Sequence, residues 1–217
     1  RVLFRSEADV VVVNHHLLFA DMAIKHGGFG EVLPGASVFI VDEAHHAPET
    51  ASQFFSASLS TRQISDLCRD LLAEAAETSA GMAVVRDEVA HCRQVIKEFQ
   101  LACHDHLQDR GTWDEMLARE EVRTALQRLD SAVVALKPAV EALLGASRGM
   151  DACIQRLEES LAHFDHLDKP VPETEVRWFE RRGKGVSIHT TPLDISRLFS
   201  SFCEQQDAAW VFTSATL

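Results

Sequence analysis

The chain has 217 residues, is 46% hydrophobic and carries a formal net charge of −12. Its longest apolar runs, Val10–Val13 and Val38–Val41, are far shorter than the ~20 residues a membrane helix needs, and no signal-peptide pattern opens the chain. The acidity argues against a strongly basic nucleic-acid coat. Five irregularly spaced cysteines (Cys68, Cys92, Cys103, Cys153 and Cys203), with no C-x-x-C pair, argue against a disulfide framework or zinc site and for buried thiols in a reducing cytoplasm.

Three blocks follow one another. In the first, residues 1–55, the apolar run Ala8–Val13 reads as a strand and Asn14–Lys25 as a helix. Gly27 to Gly30 and Pro34-Gly35 mark a loop, and Ser37–Val41 is a second strand, apolar enough to be buried in a parallel sheet. The second block, residues 56–172, is helical. Ile64, Leu67, Cys68, Leu71, Leu72 and Ala75 fall on one helix face, opened by Ser60 and Gln63 as a capping box. Val85, Val89, Cys92, Ile96, Phe99 and Cys103 form a second stripe, and Thr112 with Glu115 predicts another capped start.

Val122, Leu126, Leu129, Val133, Leu136, Val140 and Leu143 then recur alternately at four and three residues, a seam for packing against another helix that Pro138 should kink or split. Ile154, Leu157, Leu161 and Phe164 make the last stripe, stopped by Lys169-Pro170. An antiparallel bundle core accounts for all these stripes. In the third block, residues 173–217, Val176–Phe179 and Val186–Thr190 flank Arg181-Arg182-Gly183-Lys184-Gly185 as a hairpin. Ile195–Cys203 reads as a helix and Ala208–Thr213 as a third buried strand. The expected fold class is α/β with a large all-α insertion, mostly helical overall.

The charge is unevenly spread. Residues 56–170 hold 13 Lys/Arg against 20 Asp/Glu, a net of −7, whereas residues 173–189 hold 4 basic and 3 acidic residues. A locally basic hairpin can meet phosphate even on an acidic protein.

The chemistry concentrates where Val38-Phe39-Ile40-Val41 stops at Asp42-Glu43-Ala44-His45. A buried parallel strand delivers its carboxylates to the carboxyl edge of a sheet, where nucleotide-hydrolysing domains hold Mg²⁺ and a water. One carboxylate can hold the metal and the next can orient and deprotonate the attacking water. A second strand ending in Ser214-Ala215-Thr216 supplies short hydroxyls that can bridge this acidic loop to a neighbouring segment.

With both segments in view, the chain resembles a superfamily-2 helicase of the XPD/DinG iron–sulfur family. Val41-Asp42-Glu43-Ala44-His45 matches the Walker B motif, or DEAH box, and Thr213-Ser214-Ala215-Thr216-Leu217 matches motif III. Ala8 to Leu18 resembles the segment after that family's cluster cysteines, and His189-Thr190-Thr191-Pro192-Leu193-Asp194 its return from the arch domain. Phe54 to Leu71 and the hairpin are most similar to the bacterial YoaA-type branch.

The resemblance implies a partial RecA-like P-loop motor domain (residues 1–55 and 173–217) carrying a helical arch (residues 56–172). It implies an ATP-dependent 5′–3′ DNA helicase of DNA repair or replication, cytoplasmic and nucleoid-associated in bacteria. Its partners would be single-stranded or forked DNA and repair or replication proteins, with no membrane. By carry-over, Asp42 would bind Mg²⁺ beside ATP, Glu43 would be the catalytic base, and His45 with Ser214, Ala215 and Thr216 would couple hydrolysis to DNA movement. Asn14, His15, Arg177, Trp178, Arg181, Arg182 and Lys184 are the candidate DNA contacts.

The chain departs from the family pattern in two respects. It has no G-x-x-x-x-G-K-[ST], and none of its cysteines stands where the family's 4Fe–4S ligands would. Those ligands are expected before Arg1 and the second motor domain after Leu217, in keeping with a fragment that neither binds ATP well nor unwinds DNA alone. A helical protein-interaction module on an inactive motor remnant is the rival from another class. His45-His46 beside Asp42 would suit a metal-dependent phosphohydrolase only if other elements supplied further ligands. His104 and His106 diverge on a helix and share no metal. Trp113 reads as a bundle packing residue. For Asn14, His15 and His16, helix capping and satisfied imidazoles stand level with nucleic-acid contact.

Overall fold

The fold is described from a computed structural model covering residues 8–26, 32–77 and 81–215. In chain order the first elements are α1 (His15–His26), β1 (Val38–Val41), a short 3-10 turn (Ala44–His46), α2 (Ala47–Phe55) and β2 (Ala57–Ser60). The helical stretch follows: α3 (Thr61–Ala76), α4 (Gly81–His106), β3 (Arg110–Thr112), α5 (Trp113–Leu117), α6 (Glu120–Glu141) and α7 (Arg148–Asp168). The chain closes with β4 (Glu175–Arg182), β5 (Gly185–Pro192), α8 (Ser196–Gln205) and β6 (Ala209–Phe212).

These elements form two compact units. One comprises Arg1–Ala57, Glu173–Val176 and Thr191–Leu217, and the other Ser58–Pro172 and Arg177–Thr190. Residues 177–190, placed by the sequence in the closing block, therefore group with the helices.

In the helical unit, both capping boxes form. Ser60 Oγ accepts from the Gln63 amide while Gln63 Oε1 accepts from the Ser60 amide, and Thr112 and Glu115 repeat the arrangement. Each such cap satisfies two otherwise orphaned N–H groups, at about 1 kcal/mol per cap. The stripes become one core: Ile64, Leu67 and Leu71 of α3, Val89, Ile96 and Phe99 of α4, Leu129, Val133 and Leu136 of α6, and Leu157 and Phe164 of α7 are all buried. Trp113 lies in the same core.

Pro138 does not split α6, which runs on to Glu141. The proline frees the carbonyl of Val134, a residue 51% exposed, so solvent can take the bond the missing N–H leaves open. A sheet ordered β2-β5-β4-β3 belongs to this unit, with β3 antiparallel to β4 (Arg110 opposite Glu180, Thr112 opposite Trp178). The β4–β5 turn is only Gly183-Lys184, with Gly183 at φ 60°, so the strands of the hairpin extend further than the sequence suggests.

In the other unit, β1 and β6 pair in parallel, Val38 opposite Ala209 through Val41 opposite Phe212. Phe19 and Met22 of α1, Val41, Ala51 of α2 and Phe202 of α8 form its core. Phe39 stacks on Trp210 at 4.3 Å.

Two expectations fail here. Residues 8–13 are not a strand, and Val10 and Val12 are 79% and 92% exposed. No described strand lies alongside them, and an apolar run without a hydrogen-bonding partner cannot make a ladder. Nor are β1 and β6 buried strands: Ile40 is 70% exposed, and Val38, Val211 and Phe212 are between 42% and 50% exposed. A two-stranded sheet has only one face covered by this unit's helices, so alternate side chains stay outside.

Candidate functional site

Parallel pairing of β1 and β6 builds the site. With Val41 opposite Phe212, the next residues on each chain, Asp42 and Thr213, leave the sheet side by side. The backbone continues the ladder beyond the strands: the Thr213 amide donates to the Val41 carbonyl at 3.0 Å and the Ala44 amide to the Thr213 carbonyl at 2.9 Å. The side chains follow. Thr213 Oγ1 donates to Asp42 Oδ1 at 2.6 Å, and the Glu43 amide donates to the same oxygen at 3.0 Å. The Thr213 hydroxyl and then the Glu43 amide hold the exposed Asp42 carboxyl below its ordinary pKa. Asp42 is thus an ionised carboxylate with one oxygen engaged and the other open.

Glu43 has φ 48° and ψ 49°, the left-handed region, alone among the described non-glycine residues in having positive φ. A Cβ-bearing residue is held there at a cost of about 1–3 kcal/mol, so the surrounding bonds must impose the conformation. They come from the Ala44 and Thr213 amides on either side. Downstream, His45 Nδ1 lies 2.8 Å from Ser214 Oγ and 3.3 Å from Glu43 Oε2, and its ring packs against His46 at 3.9 Å.

From the other side, His15 Nε2 donates to the Asp42 carbonyl at 2.8 Å. Asn14 caps α1, its Oδ1 accepting from the Leu17 amide at 2.8 Å. His16 meets the edge of Phe54 at 5.9 Å. The capping and satisfied-imidazole reading accounts for Asn14 and His15.

The structure thus gathers Asp42, Glu43, His45 and Ser214 in one place. Ala215 lies in an exposed turn beside them, and Thr216 falls outside the described residues. Sequence reading placed Thr213 in the motif III match without a role of its own and His15 among the candidate DNA contacts, and expected neither beside Asp42. Thr213 comes beside Asp42 through the β1–β6 register, which pairs Val41 with Phe212 and which no local pattern carries. Nothing in the local pattern marks His15 as the ligand of a carbonyl 27 residues away.

The basic hairpin, in the helical unit, is largely committed elsewhere. Arg177 is only 2% exposed and donates to the carbonyls of Leu167 and Lys169, closing the C-terminal end of α7. It is therefore a buried capping residue rather than a nucleic-acid contact, because strand alternation turns 177 and 179 inward together. Trp178 already carries two ring partners: His189 of β5 stacks on it at 4.1 Å and the Arg110 guanidinium of β3 lies 5.6 Å from its ring centre.

Arg181 is held by the Gln108 carbonyl, Asp109 and His104, with 11% of its side chain exposed. Arg182 and Lys184 remain outward, Arg182 beside Glu180 at 3.1 Å. Among the described residues no three His, Cys, Asp or Glu side chains converge as a metal-binding group. No described helix is long and apolar enough to cross a membrane.

No protein-family model matches the chain. Curated relatives do. The chain is 37% identical over 210 residues to the ATP-dependent DNA helicase YoaA of Haemophilus influenzae, covering 97% of this chain and 33% of that protein. It is 35% identical over 217 residues to the protein of the same name in Escherichia coli, again 97% of this chain and 33% of the relative. It is also 41% identical over 59 residues to the ATP-dependent DNA helicase DinG of Photobacterium profundum, 26% of this chain and 8% of that protein. The chain is a YoaA/DinG-like sequence. It spans about a third of the length of the YoaA relatives it matches.

Proposed function

We propose that this chain is part of the first, RecA-like motor domain, together with the helical arch, of an ATP-dependent DNA helicase moving 5′ to 3′. We further infer that it acts on single-stranded or forked DNA in repair or replication, with repair or replication proteins as partners, in the bacterial cytoplasm at the nucleoid. The relatives' names support the activity, and the observation that carries the site is the grip of Thr213 and Ser214 on Asp42 and His45.

Asp42-Glu43-Ala44-His45 is the DEAH box of this reading. Asp42, ionised and with one oxygen open, would hold Mg²⁺, a hard cation that sits on one or two carboxylates and nucleotide phosphates without an all-protein cage. When bound, the metal would neutralise charge developing on the phosphates. Glu43 would orient the attacking water and take its proton. His45, touching both Glu43 and Ser214, would link nucleotide state to the segment Ser214-Ala215-Thr216 and through it to movement on DNA. Arg182 and Lys184 stay accessible to a phosphate backbone.

A 4Fe–4S cluster does not fit this chain's own cysteines. Cys68, Cys92, Cys103 and Cys153 are buried in the helical core, and no metal-binding group is formed among the described residues.

Glu43→Gln in the full-length protein tests the reading. It removes the base while keeping the size of the side chain, and should cut ATP turnover by about 10²–10⁴-fold with DNA binding retained. Unchanged turnover overturns the assignment.

A further inference from the structure

We propose that the groove between α4 and α6 is a docking site for a basic amphipathic helix of a partner protein, independently of the motor reading above. The groove has a volume of about 570 Å³ and lies where the second half of α4 runs beside the first half of α6. Its floor is apolar: Leu101, 60% exposed, with Ala102 and Ala125. Its rim is acidic: Glu98 and Asp105 from α4, Glu120 and Glu121 from α6, against Arg128 as the groove's one cation.

The helix geometry explains why these residues share a face. Positions 98, 101, 102 and 105 recur at three and four residues, as do 121, 124, 125 and 128, so each helix presents one continuous strip to the groove. Phe99, Cys103, Val122 and Leu126, between them in sequence, turn into the core instead. Leu101 therefore stands outside the bundle core, with 60% of its surface exposed. None of the four rim carboxylates forms an ion pair with a described residue; Glu98 accepts only from the Gln94 amide, at 3.1 Å.

The chemistry selects the occupant. Four carboxylates around an apolar floor repel a phosphate backbone, which single-strand sites draw in with positive charge. A second copy seated symmetrically would set carboxylate against carboxylate. A helix with Lys/Arg flanking an apolar residue one turn away matches both features, as helix-in-groove recognition does. The alanines let its backbone come close over Leu101. Residues 98–105 span about 10 Å of helix axis, so two turns of the occupant suffice to fill the groove.

The test uses the 217-residue chain and a fluorescent Lys/Leu amphipathic peptide of about four turns, with a Glu/Leu peptide of the same pattern as control. Anisotropy should show saturable binding of the Lys peptide that weakens with salt, and none of the Glu peptide. The pair Asp105→Lys and Glu121→Lys should weaken binding by about tenfold or more, since like charges then face each other. Leu101→Ser should weaken it separately. Glu158→Lys with Glu159→Lys on α7 removes the same charge elsewhere and should leave it unchanged. All these positions are exposed, and circular dichroism checks the fold.

Equal losses from the two double reversals would reduce the effect to net charge and overturn the proposal. So would photocrosslinking of a single-stranded oligonucleotide to residues 98–105 or 120–128. Self-association abolished by Leu101→Ser would overturn it too, in favour of a second copy.

Discussion

The Thr213 hydroxyl donates a 2.6 Å hydrogen bond to Asp42, joining residues 171 positions apart. Thr213 also heads the reasons why the Asp42 carboxyl sits below its ordinary pKa. Thr213→Val keeps the shape and removes the donor. In the full-length protein under the proposed function, it should lower apparent Mg²⁺ affinity by about 10-fold or more, as loss of a ligand's supporting bond does. Thr213→Ser should restore it. Magnesium titrations of ATP turnover check this, and an unshifted titration for Val sinks it.

Glu43 occupies left-handed backbone space that suits glycine. Comparing Glu43→Gly with Glu43→Ala isolates the backbone, because both remove the carboxylate near His45. Glycine should be the more stable of the two by about 1 kcal/mol, the reverse of the usual order. Thermal denaturation of the chain measures it. Equal melting points would show that Glu43 carries no strain.

Asp70 accepts a 2.7 Å hydrogen bond from Arg156 that ties α3 to α7. This bond, ahead of the one from Arg69, lowers the Asp70 pKa from its ordinary 3.8. A depressed carboxylate stabilises the fold above its unfolded pKa, and that contribution disappears as pH falls through the folded value. Both groups are more than a third exposed, so Arg156→Ala should cost less than ~1 kcal/mol at pH 7. The difference from wild type should shrink steadily below pH 3.8. Urea denaturation across pH reads it, and a pH-independent difference rules the pair out.

The thiols divide by burial. Cys68, Cys92, Cys103 and Cys153 are buried, while Cys203 is half-buried. Burial pushes the Cys103 thiol up to about 12. Burial raises the Cys203 thiol as well, so access rather than thiolate fraction sets the order: alkylation near pH 8 should reach only Cys203 in the folded chain and all five in denaturant. Mass spectrometry counts the adducts. Native labelling of Cys68 or Cys92 at the rate of Cys203 would contradict the buried core.

The helical unit was legible because its signals are local. Apolar residues at three- and four-residue spacing named the buried faces of α3, α4, α6 and α7, and Ser60 and Thr112 named two helix starts. The basic hairpin was legible as a hairpin and misleading as a surface. Arg177 sits in the inward register of β4, where α7's last carbonyls offer it acceptors. No spacing rule reveals that a charge has a buried partner ten residues earlier. Likewise Ala8–Val13 has strand composition, but a strand exists only where another lies beside it.

By itself, the sequence determined the helix faces, their caps, the hairpin and a strand that ends in two carboxylates, because periods of 2 and 3.6 follow from backbone geometry within a few residues. Only the tertiary structure decided what surrounds those carboxylates. Parallel pairing of β1 with β6 set Thr213 on Asp42 and Ser214 on His45, and packing of α1 set His15 on the Asp42 carbonyl. Such pairings depend on the register between segments far apart in the chain, settled by hydrogen bonding and burial across the whole unit.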